Sequence, residues 1–143
     1  MRPFVENFPF FCIFLALVAG ILSATFRSGR AAYRMTLAVT GAIDLVSDGQ
    51  RCFVIRNGRP EMGKITGTGC QLSGMMTAFV VANPDRRLEA AAAAVCAMGL
   101  AGEIGWSRMA PGDGNSTYRN RIIDAIYNMD GAALDKGAKY EVR

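Results

Sequence analysis

Charge is absent from Asn7 to Phe26, NFPFFCIFLALVAGILSATF, and only from Met35 onward do apolar and polar residues alternate in short groupings. An uncharged, mostly apolar run of this length is long enough to span a bilayer as a helix. Arg27, Arg30 and Arg34 follow it, whereas Arg2 before it is offset by Glu6, an asymmetry that would leave the C-terminal part in the cytoplasm. A secretory signal fits less well because the leading segment is barely basic, although LSAT resembles a small-residue cleavage site. The run also fits a buried core element, or a stretch foreign to the ancestral domain. The pattern therefore divides the chain into an apolar leader, residues 1–30, and a domain, residues 31–143.

Within the domain the pattern predicts an α/β architecture. MTLAVTG reads as a short buried strand ending at Thr40 and Gly41, since a brief apolar run between breakers suits a strand covered on both faces. Ile43–Val46 and Arg51–Arg56, separated around Ser47-Asp48-Gly49, predict a β-hairpin, with glycine taking the positive φ of the tight turn. Asn57-Gly58 marks a second turn. Gln71–Val81 predicts a helix, and ANPDRRLEAAAAAVCAMGLAGEIGWSRM a second one, capped by Asn83 with Pro84 in its first turn. The small residues Ala91, Ala92, Gly99 and Gly102 predict close packing against a neighbour. A last helix follows the APGDGNS loop, with Ser116 as cap, Ile122, Ile126 and Met129 on one face, Ile123 and Tyr127 beside them, and Gly131 as its stop.

Composition narrows the chemistry. The net charge of +4 arises from 16 basic and 12 acidic residues spread as singles and pairs, which describes a solvated surface; no basic stripe interleaved with aromatics points to nucleic acid. Cys12, Cys52, Cys70 and Cys96 form no CxxC pair, so they lack zinc-site spacing. The chain contains no histidine, which excludes histidine triads, histidine metal ligands and imidazole bases. Proton transfer falls to a carboxylate, thiol, lysine or tyrosine. Eight methionines and isolated thiols suit a reducing cytoplasm.

The candidate chemistry lies in TGTGCQLSG, Thr66–Gly74. Gly67, Thr68 and Gly69 precede a helix start, where backbone N–H groups have no intrahelical partner and the dipole is positive. Such a site binds phosphate oxygens, and glycine lets the backbone approach them closely. The pattern is equally that of simple turn chemistry. Cys70 adds a thiol whose anionic form the same field favours, placing a proton acceptor beside a bound phosphoryl group. Against this, cysteine is more often a buried, inert residue, which is the reading for Cys12, Cys52 and Cys96.

The residues AVTGAIDLVSDG at 38–49, ITGTGCQLSGMMTAF at 65–79, LEAAAAAVCAMGLAGE at 88–103 and GNSTYRNRIIDAIYNM at 114–129 resemble the hydroxyethylthiazole kinases of thiamine salvage, within the ribokinase-like superfamily. The resemblance runs from about Ala31 to the C-terminus. It implies a partial ribokinase-like fold, comprising C-terminal strands, the hairpin and three helices, preceded here by an apolar N-terminal helix. It implies Cys70 as the catalytic residue, Gly67, Thr68 and Gly69 as the anion hole, Gly67 also as a substrate contact, and Thr40 as an ATP contact. The implied reaction moves the γ-phosphate of ATP, with Mg2+, onto the hydroxyl of 5-(2-hydroxyethyl)-4-methylthiazole, in a cytoplasmic homotrimer with active sites at subunit boundaries.

The resemblance also has gaps. The family's thiazole pocket, ATP-contacting arginine and magnesium acids are not recognisable before Met35, where Glu6 is the only acid. The expectation is the C-terminal half of such a kinase joined to an unrelated leader, with a sheet edge and helix faces left uncovered. Two alternatives carry different predictions. Another ribokinase-like kinase, such as a hydroxymethylpyrimidine phosphate kinase, would differ in its alcohol; a non-catalytic module anchored through residues 7–26 would fractionate with membranes.

Overall fold

In the computed structural model, which describes residues 35–143, the hairpin is the centre of a four-stranded antiparallel sheet: β1 (Leu37–Val39), β2 (Asp44–Ser47), β3 (Cys52–Ile55) and β4 (Tyr140–Val142), in the order β1-β2-β3-β4. The leader and its candidate membrane segment lie outside the described residues. Val46 pairs with Ala38 on one side and Phe53 on the other. Strand alternation puts these residues on one face, which packs against the helices. The hairpin turn forms as its residues dictate. Gly49 has φ of 88°, and Asp48 Oδ1 accepts the N–H groups of Gln50 and Arg51 at 2.9 Å each.

Four helices follow: α1 (Thr68–Ala82), α2 (Arg87–Ser107), α3 (Asn115–Tyr127) and α4 (Gly131–Gly137). A short 3-10 helix, Pro60–Lys64, precedes α1. α2 is apolar nearly all round, as expected of a helix buried in a core. By length and composition it could cross a membrane, yet 78% of its most apolar stretch is buried inside the fold. One side of it meets the sheet through Leu88, Ala91, Ala92, Val95 and Cys96. The other side meets α3 through Met98 and Ala101, against Tyr118, Ile122 and Ala125. Tyr118 completes that interface by donating its hydroxyl to Gly102 O at 2.9 Å, buried.

Several boundaries differ from the sequence-based expectations, each for a local reason. β1 is a half-buried edge strand among the described residues rather than a fully buried one. Asn83 closes α1 instead of opening α2: its N–H bonds Val80 O, and its side-chain amide bonds Phe79 O at 2.9 Å. Pro84 consequently lies in the turn, and α2 begins at Arg87. Gly114, not Ser116, is the N-cap of α3. Gly131 starts α4 rather than stopping α3, because Asp130 caps it by accepting from Ala133 N at 2.7 Å. Along α3 and just past its end, Ile122, Ile126 and Met129 share the core-facing side as expected, joined by Tyr118 and Ala125, while Ile123 and Tyr127 are exposed, Tyr127 at 88%. The α/β expectation holds, with a fourth helix and a fourth strand added.

The closest approach of another segment's backbone to α2 among the described residues is at Gly99. A Cβ there would lie 2.6 Å from Asn57 Cβ and 2.8 Å from Asn57 C. Backbone cannot yield as a side-chain tip can, so Gly99→Ala should destabilise the protein by about 1–3 kcal/mol, as overpacking does. Gly74, inside exposed α1, has nothing within 4 Å of the equivalent position; Gly74→Ala should stabilise by about 0.5–1 kcal/mol through helix propensity. Urea unfolding midpoints of the two variants should move in opposite directions.

Candidate active site

Residues after β1 and β3 converge with the start of α1 on a cleft of about 540 Å³. Thr40, Gly41 and Asp44 form one wall, Arg56–Pro60 another, and Thr68 and Gly69 a third, over an apolar floor that includes Leu72, Val95 and Met98.

The start of α1 is built by glycine. Gly67 is the N-cap with φ of 96° and no side-chain cap, a left-handed conformation that strains any other common residue. The helix's first i→i−4 bond runs from Gln71 N to Gly67 O at 3.0 Å, so the amides of Thr68, Gly69 and Cys70 precede the intrahelical ladder. Gly69 is within the helix, where glycine costs stability. Among the described residues a Cβ at Gly69 would meet nothing within 4 Å, and no packing contact requires this glycine.

Thr40 and the Thr68-Gly69 pair thus share one cleft, although the strand and the helix start are far apart in sequence. Gly67 supports the loop without lining the cleft, and Cys70, in the first turn of α1, is exposed and outside the lining. Cys96 is buried, and burial together with the charge of Asp44 pushes its thiol up to about 11. Cys52 is half-buried in β3. Cys12 lies outside the described residues.

Four lining residues carry chemistry that the sequence reading passed over. Asp44 shares the core-facing side of β2 with Val46; burial raises its carboxyl above the ordinary aspartate value, partly offset by the Gly41 N–H it accepts at 2.8 Å. Asn57 is 7% exposed, with every side-chain polar atom engaged. Its amide donates to Gly137 O at 2.9 Å and Glu103 Oε1 at 3.3 Å, and its oxygen accepts Lys139 N–H at 2.8 Å. Arg56 and Arg59 flank this fixed point. The sequence signal was the RNGRP string, legible as a turn but silent about which way its arginines would face.

Mg2+, implied by the family resemblance, would meet, among the described residues, a single lining carboxylate, Asp44, with one oxygen already engaged. Among the described residues no three of His, Cys, Asp or Glu converge, so these residues do not by themselves fit a magnesium site.

Glu103 ties the Asn57-Gly58 wall to α2. It accepts Gly58 N–H at 2.9 Å and Lys139 Nζ at 2.6 Å. Burial acts to raise its pKa, but Lys139 and the two loop donors outweigh burial and hold it below the ordinary glutamate value. A depressed carboxylate stabilises the fold above its unfolded-state pKa, and that contribution is lost as pH falls through the folded value. Glu103→Gln should therefore lower stability at neutral pH and flatten the acid limb of a stability-versus-pH curve. An unchanged acid limb would show that other carboxylates govern it.

The model of the hydroxyethylthiazole kinase family matches residues 22–131. Hydroxyethylthiazole kinase of Clostridium acetobutylicum is 53% identical over 105 residues, which cover 73% of this chain and 38% of that protein. Its counterpart of the same name in Arabidopsis thaliana is 39% identical over 94 residues, covering 66% of this chain and 33% of that protein. A solved structure of hydroxyethylthiazole kinase protein from Pyrococcus horikoshii OT3 superposes with a TM-score of 0.70 at 31% identity, covering 90% of this chain and 50% of that one. The chain spans less than half the length of these curated relatives.

Proposed function

The chain belongs to the hydroxyethylthiazole kinase family, and from that premise we propose that it transfers the γ-phosphoryl group of ATP to the hydroxyl of 5-(2-hydroxyethyl)-4-methylthiazole. The observation that carries this reading is the cleft joining Thr40 to Thr68 and Gly69. The end of a strand and an open helix start face one space large enough for a nucleotide's phosphate end, and Gly67 and Cys70, which the reading assigns to the alcohol, adjoin it outside its lining.

In this reading the amides at the start of α1 take the oxygens of the transferred phosphoryl group, where charge is spread in the transition state. Gly67 fixes their direction and stands next to the alcohol, and Thr40 holds the nucleotide from the opposite wall. Cys70 receives the alcohol's proton. The alcohol oxygen forms the new bond to the γ-phosphorus, the bond from that phosphorus to the β,γ-bridging oxygen breaks, and ADP carries away the electron pair. Cys70 is exposed in the same helical turn as Gly69. A homotrimer that places the cleft at a subunit boundary is the assembly that accompanies this reading.

The test is product formation by the purified chain with ATP, Mg2+ and the thiazole alcohol. Cys70→Ala should lower kcat by about a hundredfold or more, the usual range for loss of a positioned proton acceptor. Thr40→Ala should raise the KM for ATP more than it lowers kcat. Absence of product from the wild-type chain would refute the activity, and equal turnover by Cys70→Ala would remove the thiol from the mechanism while leaving the activity in place.

A further inference from the structure

We infer that Arg56 and Arg59 form a polyphosphate-binding lip on the cleft, contacting the non-transferred phosphates of a nucleoside triphosphate from the wall beside Asn57. The inference rests on the nucleotide reading of the cleft and adds to it two side chains from the segment after β3.

Both arginines line the cleft, and both are attached to a segment that cannot drift. Between them Asn57 and Gly58 are pinned by Glu103, Gly137 and Lys139. Asn57 also rests against Gly99 with no room for a methyl group. Arg59 is oriented further. Its guanidinium lies 5.3 Å from the ring centroid of Trp106, and its Nε and Nη2 donate to the two oxygens of Glu61 at 3.1 and 3.3 Å. Its Nη1 has no acceptor among the described residues. Arg56 gives only Nη2 to Glu141, at 3.1 Å, leaving Nε and Nη1 without an acceptor among the described residues.

A planar guanidinium presents donors in a geometry that fits phosphate oxygens, and a stacked one loses little further freedom on binding. The ion pairs are solvated, with side-chain exposures of 40% and 25% for Arg59–Glu61 and 53% and 44% for Arg56–Glu141. Such pairs orient a side chain without holding it strongly, so a multiply charged anion competes well for the remaining donors. The cleft offers little repulsion. Among the described residues Asp44 is its one lining carboxylate; it accepts the Gly41 N–H, and burial raises its pKa above the ordinary aspartate value.

Calorimetric titration of the full chain with ATP and with inorganic tripolyphosphate, which has no base or sugar, tests the inference. Arg59→Gln, which loses the guanidinium held by Trp106 and Glu61, should weaken both ligands on the order of tenfold or more, as loss of a charge-assisted contact does, and Arg56→Gln, whose side chain is less firmly oriented, should weaken them less. Arg59→Lys, which keeps the charge and loses the fork, should recover part of the affinity. Arg51→Gln, which removes an equal charge paired with Glu89 on the hairpin, should bind as the wild type. Circular dichroism of each variant separates weakened binding from misfolding, and Arg59→Lys decides the matter if Arg59→Gln does not fold. Unchanged tripolyphosphate affinity in Arg59→Gln, or no binding by the wild type, overturns the lip. Product formation by Arg59→Gln with an unaltered KM for ATP would overturn the lip and leave the kinase reading standing; tripolyphosphate binding lost in Arg59→Gln, without any turnover by the wild type, would do the reverse.

Discussion

The contact on which the cleft depends is that of Asn57 with α2. A buried polar side chain is costly unless each of its groups finds a partner, and Asn57 finds them in three separate segments: Glu103 on α2, Gly137 at the end of α4 and Lys139 ahead of β4. This arrangement is available only because Gly99 lets the loop backbone lie directly on the helix. The consequence reaches both ways along the chain. Upstream it fixes the exit of β3, and downstream it sets the 3-10 helix leading to Gly67 and the start of α1.

The same contact explains why α2 needs so many small residues. The helix serves two cores at once, one against the sheet and one against α3. Gly102 gives way to the Met62 side chain, and Gly105 to the backbone of α3 at Ile122 N. Burial on several sides removes the polar face that ordinarily reveals a helix's orientation. In composition α2 therefore resembles a membrane span, although it is the centre of the described fold. Its alanines serve close approach rather than solvent exposure.

How far the sequence could be read follows from whether the information was local. The hairpin was legible because Asp48 and Gly49 specify their own turn. The glycine loop was legible because Gly67 needs a positive φ whatever surrounds it. Helix ends were less so: Asn83 can bond either forward as an N-cap or backward to Phe79 O, and only the following Pro84-Asp85 turn decides for the latter. The convergence of Thr40 with Thr68 was expected from family resemblance rather than from pattern. The facing of Arg56 and Arg59 into the same cleft was not expected at all, since it depends on a contact with Glu103 far along the chain. β4 was missed for a similar reason. YEV is too short to announce a strand, and it becomes one by pairing with Phe53, Val54 and Ile55.

Environment also sorts the cysteines, and it does so in a way that residue type cannot. Cys96 sits in the sheet-facing core near half-buried Asp44, where burial and a second negative charge both disfavour a thiolate, and its thiol is accordingly a small apolar packing group. Cys52 lies in β3, half-buried, with its S–H directed at Phe53 O at 3.7 Å. Among the described cysteines Cys70 alone combines exposure with the first turn of a helix. A thiolate formed at Cys96 would meet hydrocarbon and a carboxylate. The division between a packing thiol and a solvent-facing one is thus set by where α1 and α2 place the sulfur. Gly67, by fixing where α1 begins, determines on which side of that division Cys70 falls.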